Sequence, residues 1–193
     1  MNMSRDIELR VRGRCGARTL PAAPAMLDGC CTTDLLLLYL PMLSAGYNNN
    51  IQIMQGPGYV VIMHEMNHSV RIIPTDGRPA VPDQVRQWRG SARGHWEGNT
   101  LVVDNSNFSS INPFRGSSDQ LQVQERFTLE DADTIRYQFT VKDPATWDQP
   151  WSGETAWSRT IGPLYEFGCH EGNYGLANTL RGARVADEAA AKK

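Results

Sequence analysis

The stretch Val60–Pro74, VVIMHEMNHSVRIIP, contains His64-Glu65-x-x-His68, the residue pattern with which a metallopeptidase helix holds zinc. That chemistry requires both imidazoles on one helical face, one turn apart. The flanks here are Tyr-Val-Val-Ile and Ser-Val-Arg-Ile-Ile-Pro, whose β-branched density predicts strands. On a continuous strand the two imidazoles would stand roughly 13 Å apart, too far to share an ion. The pattern is therefore expected to be a hairpin reversing at Met66-Asn67, with Asn67 accepting a positive φ. Glu65 and His68 would then face each other across the hairpin end, where a carboxylate raises an imidazole pKa and makes an acid–base couple.

The other histidines also sit beside glutamates. His95 and Glu97 share a strand face and could act together, whereas His64 and Glu65, or His170 and Glu171, point to opposite faces. Cys169–Gly175, CHEGNYG, is the densest polar cluster, and His170, Glu171 and Asn173 there could project towards one mouth. Glu65, His68, His170 and Glu171 form the candidate catalytic set. Arg71, His95, Trp96, Glu97, Trp151, Glu154, Asn173 and Tyr174 are the candidate ligand-binding residues. His68, His170 and a carboxylate would make a two-imidazole metal set, but the linear spacing fixes none, and no metal or cofactor is expected. Trp147, Trp151 and Trp157 cluster near Glu154, and aromatic walls with a few polar groups suit a sugar, aromatic or isoprenoid ligand. The same tryptophans are equally suited to plugging the interior of a small barrel.

The elements that must position these groups are short strands. Asn50–Gln55, Tyr59–Glu65, His68–Pro74, two strands within Gly94–Phe108, Leu121–Glu130, Thr134–Lys142 and two more within Pro150–Glu171 are separated by tight turns. About eight or nine antiparallel strands in this pattern predict an all-β barrel with one or two short helices. Val81–Trp88 is expected to make one or two helical turns, with Pro82 and Asp83 at its start. On Leu121–Leu129 the face carrying Leu121, Val123, Phe127 and Leu129 also carries Glu125, which predicts a sheet margin or a wet cavity at that point. Residues 1–46 read as an irregular N-terminal extension, 47–184 as the β-barrel domain and 185–193 as a frayed tail.

At 193 residues, 40% hydrophobic and with a net charge of −2, the chain suits one globular domain. No basic stripe offers a nucleic acid an electrostatic footprint. The longest apolar run, Leu35–Leu43, is interrupted by Pro41 and falls short of the roughly 18 to 20 residues that cross a bilayer. The opening MNMSRDIELRVRGRCGARTLP lacks the apolar middle of an export signal. Cys15, Cys30, Cys31 and Cys169 are too few for a disulfide scaffold, and a Cys15–Cys169 bridge and four plain thiols stand as equal alternatives. Nucleophile-elbow, phosphate-loop and dinucleotide motifs are missing from the sequence.

YNNNIQIMQGPGYVVIMHEMNHSVRIIPTDGRP, RGHWEGNTLVVDNSNF, ERFTLEDADTIRYQFTVKDPATW and YEFGCHEGNYGLANTLRGAR together resemble a large, mostly uncharacterised bacterial family. Its members often carry export signals. The resemblance spans about residues 47–184 and implies a lipocalin-like antiparallel barrel in a periplasmic or secreted protein. Gly94-His95-Trp96 is similar to the Gly-x-Trp of the wider lipocalin group, and Cys15–Pro21, CGARTLP, partly matches the CLTRGLP-like opening of family members. No activity transfers with the resemblance. Two functions fit these residues: an enzyme of hydrolase, lyase or isomerase type working through Glu and His, or a non-catalytic carrier of an apolar, aromatic or sugar-like ligand. The expected partner is a small organic molecule, with neither nucleic acid nor membrane, and with a homodimer through exposed strand edges as the protein–protein option.

Overall fold

A computed structural model describes residues 9–13, 40–43, 49–111, 114–168 and 174–191. Nine strands make up its sheet: β1 (Leu9–Gly13), β2 (Asn50–Gly56), β3 (Tyr59–His64), β4 (Val70–Pro74), β5 (Ser91–Glu97), β6 (Thr100–Ser106), β7 (Gln122–Leu129), β8 (Thr134–Lys142) and β9 (Trp151–Arg159). Their order is β4-β3-β2-β1-β9-β8-β7-β6-β5, and every neighbouring pair is antiparallel. The chain is thus predominantly antiparallel β, as its period-two alternation predicts. On β8, Ile135, Tyr137, Phe139 and Val141 are buried, while Arg136, Gln138 and Thr140 face outward.

The sheet curves until its edge strands β4 and β5 lie side by side, though no ladder joins them. Gly94 makes that approach feasible. A Cβ there would stand 2.8 Å from Ile73 Cγ2 and 3.1 Å from Thr75 Cγ2, so any larger residue would push the edges apart. Side chains also bridge the region: Arg89 donates to Ser69 Oγ, and Arg93 Nε donates to the Pro79 carbonyl at 2.9 Å. The core within the curve joins Leu40, Met42, Val60, Ile62, Ile73, Leu101, Val103, Val123, Tyr137 and Trp157, among others.

Several expectations are corrected. Leu9–Gly13, inside the stretch read as irregular, is a strand between β2 and β9, because its Leu-Arg-Val-Arg alternation meets two open ladders. Val81–Trp88 forms turns rather than a helix. Asn107 Nδ2 takes the Pro82 and Val85 carbonyls at 3.1 and 2.7 Å, and Gln87 bridges to Phe108, so the backbone groups a helix would use are occupied. The stretch after Arg159 adds no further strand among the described residues.

The chain divides into two compact units, residues 1–16 with 33–167 and residues 17–32 with 168–193. In the second unit, helix α1 (Gly175–Ala191) continues past residue 185, where a frayed tail was expected, since Ala186 and Ala189–Ala191 favour helix strongly. Among the described residues no helix is long and apolar enough to cross a membrane.

Candidate functional site

Between the inner face of the sheet and the β5–β6 turn lies a cavity of about 310 Å³. Ile53 on β2, Val60 and Ile62 on β3, and Leu101 on β6 line one part of it. Phe127 and Leu129 on β7, Ile135 on β8 and Trp96 on β5 line the rest, with Gln55, Gly98 and Asn99 at the strand ends. Eight of these eleven residues are apolar and none is titratable. Gly98, at φ 62, allows the tight β5–β6 turn, and Asn99 Nδ2 pins that turn to the Leu129 carbonyl at 2.9 Å. Trp96 is inward-facing yet 46% exposed, which places its ring at the mouth.

One inward step away the lining turns polar. Ile62 pairs across the ladder with Arg71, and Phe127 pairs with Tyr137. Arg71 is 5% exposed and Glu125 0%, and the guanidinium grips the carboxylate through two bonds of 3.2 and 2.5 Å. The Tyr137 hydroxyl donates to Glu125 Oε1 at 2.8 Å and accepts from the Met42 backbone N–H at 2.8 Å. Burial, with the Glu125 charge beside it, pushes the Tyr137 phenol well above its ordinary range. His64 lies at the end of β3, 6% exposed. Burial and the charges of Arg71 and Arg89 hold its pKa at about 3, so the imidazole is neutral at ordinary pH. Glu125, expected at a margin or in a wet cavity, is instead enclosed in this layer.

The expected Glu65–His68 couple does not form. The reversal is a 3₁₀ turn over Met66–His68, and it is His68, not Asn67, that takes the positive φ of 49°. Glu65 is buried, and its Oε2 accepts from Asn50 N and Nδ2 at 3.3 and 2.7 Å, tying the turn to the start of β2. His68 is exposed, with its ring edge-on to Phe167 at 6.4 Å. Glu65 is thus turned inward onto Asn50 while His68, in its left-handed conformation, stands in solvent.

His95 and Glu97 do meet, Nε2 to Oε1 at 3.3 Å, and Arg126 joins them at 2.7 Å from Glu97 Oε2. His95 and Glu97 are solvent-exposed and Arg126 is half-buried. The Arg126 and His95 hydrogen bonds lower the Glu97 pKa, as in any solvated surface pair. Trp151 packs against Phe114, Phe139 and Trp147, and Trp157 stacks on Tyr137 at 4.5 Å. These tryptophans fill the core rather than line the cavity. Glu154 projects outward, where Gln138 Nε2 donates to it at 3.1 Å. It borders an open outer groove of about 390 Å³ whose polar groups already bond one another, Thr140 to Ser152 among them. A ligand there would have to displace bonds already made. Arg71 is committed to Glu125 and lies outside the cavity lining.

Tyr174 is 70% exposed just ahead of α1 in the second unit. His170, Glu171 and Asn173 lie outside the described residues, as do Cys15, Cys30, Cys31 and Cys169 with their bridging alternative, and most of Leu35–Leu40. Among the described residues no group of three His, Cys, Asp or Glu could hold a metal ion. Of the candidate ligand-binding residues Trp96 lines the cavity; sequence reasoning missed its other walls and Tyr137, because inward aliphatic residues on strands carry no linear mark distinguishing a filled core from an empty one. Comparison with protein-family models, with curated proteins and with solved structures returned no match to this chain.

Proposed function

We propose that this chain is a carrier, built on a lipocalin-like β-barrel, that binds a small apolar molecule in the cavity beneath the β5–β6 turn. One observation carries the proposal: a partly open cavity of about 310 Å³ is walled by eight apolar side chains and no titratable one. That volume falls at the low end of the roughly 300–1,000 Å³ usual for ligand sites. Acid–base catalysis needs a proton donor or acceptor within hydrogen-bond reach of the bound molecule. The described walls offer none, and the separation of Glu65 from His68 favours a carrier over a hydrolase, lyase or isomerase. The nearness of β4 to β5, with the likeness of residues 47–184 to the exported bacterial family, supports the barrel reading.

The test is binding of N-phenyl-1-naphthylamine, which brightens on entering an apolar site. The full chain should bind it saturably, and Leu101→Trp, which fills the cavity from β6, should abolish binding while the far-ultraviolet dichroism stays β. A protein that leaves the probe dark, or a filled variant that binds it unchanged, would overturn the proposal.

A further inference from the structure

The two ends of the cavity differ in what they offer a polar atom. Its floor is an apolar skin of Ile62 and Phe127, and directly behind that skin the polar groups are already committed to one another. Glu125 Oε1 accepts from both Arg71 and Tyr137, Glu125 Oε2 accepts from Arg71, and the Tyr137 oxygen accepts from Met42. A ligand hydroxyl driven to the floor would lose water and find partners already in use, which costs more than tenfold in affinity. The mouth is different. Gln55 is half-buried there, Asn99 is exposed, and Trp96 presents an amphipathic ring at the boundary with water.

Resting on the reading of the cavity as a ligand site, we infer that its ligand is a small amphiphile with a single polar head, held apolar end first with the head beside Gln55 and Trp96. The size of the space excludes diacyl lipids and suits one short chain or fused ring pair. Trp96 sets the boundary: what lies below its ring is dry, and what lies above is hydrated.

Calorimetric titration of the full chain with 1-alkanols from hexanol to dodecanol, and with α,ω-diols of equal length, separates the possibilities. Alkanol affinity should rise about fourfold per methylene and level off once the tail outgrows the cavity. Each diol should bind at least tenfold more weakly than the alkanol of its length. Diols that match the alkanols would overturn the single-headed orientation and leave the apolar cavity standing. Alkanols that fail to bind where N-phenyl-1-naphthylamine succeeds would overturn the chain amphiphile alone. Failure of every apolar probe would overturn this inference together with the carrier reading.

Discussion

On four strands, one inward step along the chain separates two opposite environments. Ile62 gives way to His64 on β3, Ile73 to Arg71 on β4, Phe127 to Glu125 on β7, and Ile135 to Tyr137 on β8. Ile62, Phe127 and Ile135 line the apolar cavity and Ile73 is buried beside Val60 of its wall, whereas the second member of each pair belongs to a polar layer packed closely. The difference shows how one sheet interior can be loose and firm at once. An apolar wall next to empty space gives up dispersion contacts, and a suitable guest restores them. A buried charge without its partners costs far more, so the polar layer keeps a close-fitting geometry. The firm layer forms the floor against which the loose one holds its shape.

The sharpest way to break this comparison is to remove half of the ion pair. Glu125→Leu leaves Arg71 buried and unpaired and should cost about 3–5 kcal/mol in urea denaturation, whereas the double variant Arg71→Met/Glu125→Leu should recover most of the loss. A double variant as unstable as the single one would mean that the charges themselves hold the layer together. Acid is the next lever. His64 has a folded pKa of about 3 against about 6.5 when unfolded, so below pH 6.5 the unfolded chain takes up a proton that the folded chain refuses. The His64 contribution should therefore be flat above pH 6.5, and stability should fall by about 1.4 kcal/mol per pH unit below it, down towards pH 3. Measured between pH 6.5 and 4.5, above the carboxylate range, the slope should vanish in His64→Gln.

Tyr137→Phe removes one donor from Glu125 and one acceptor from Met42, and should cost about 1–3 kcal/mol. In the wild type the raised Tyr137 pKa has the opposite sign from His64: stability falls as pH rises through about 10, where the unfolded phenol ionises and the folded one does not. The smallest effect on folding belongs to the mouth. Trp96→Ala should change unfolding free energy by less than about 1 kcal/mol, yet weaken N-phenyl-1-naphthylamine binding about tenfold. A variant that loses stability but keeps the probe would place Trp96 in the core instead.

Much of the scaffold was legible in the chain. β2 through β9 follow from alternation and turn residues. β1 carried the same alternation in LRVRG but lay among prolines and small residues that masked it. The site was less legible. Glu125 stood out as a carboxylate on an apolar face, but its partner Arg71 lies 54 residues away and Met42 lies 95 from Tyr137. Glu65 and His68, close in sequence, were parted by a 3₁₀ turn that a hairpin pattern does not distinguish.

By itself the sequence determined which residues face inward, because side chains alternate along a strand with period two whatever surrounds them. Only the tertiary structure decided which inward residues meet and where nothing meets at all. An ion pair is a property of two distant strands brought together, and a cavity is a property of all its walls at once.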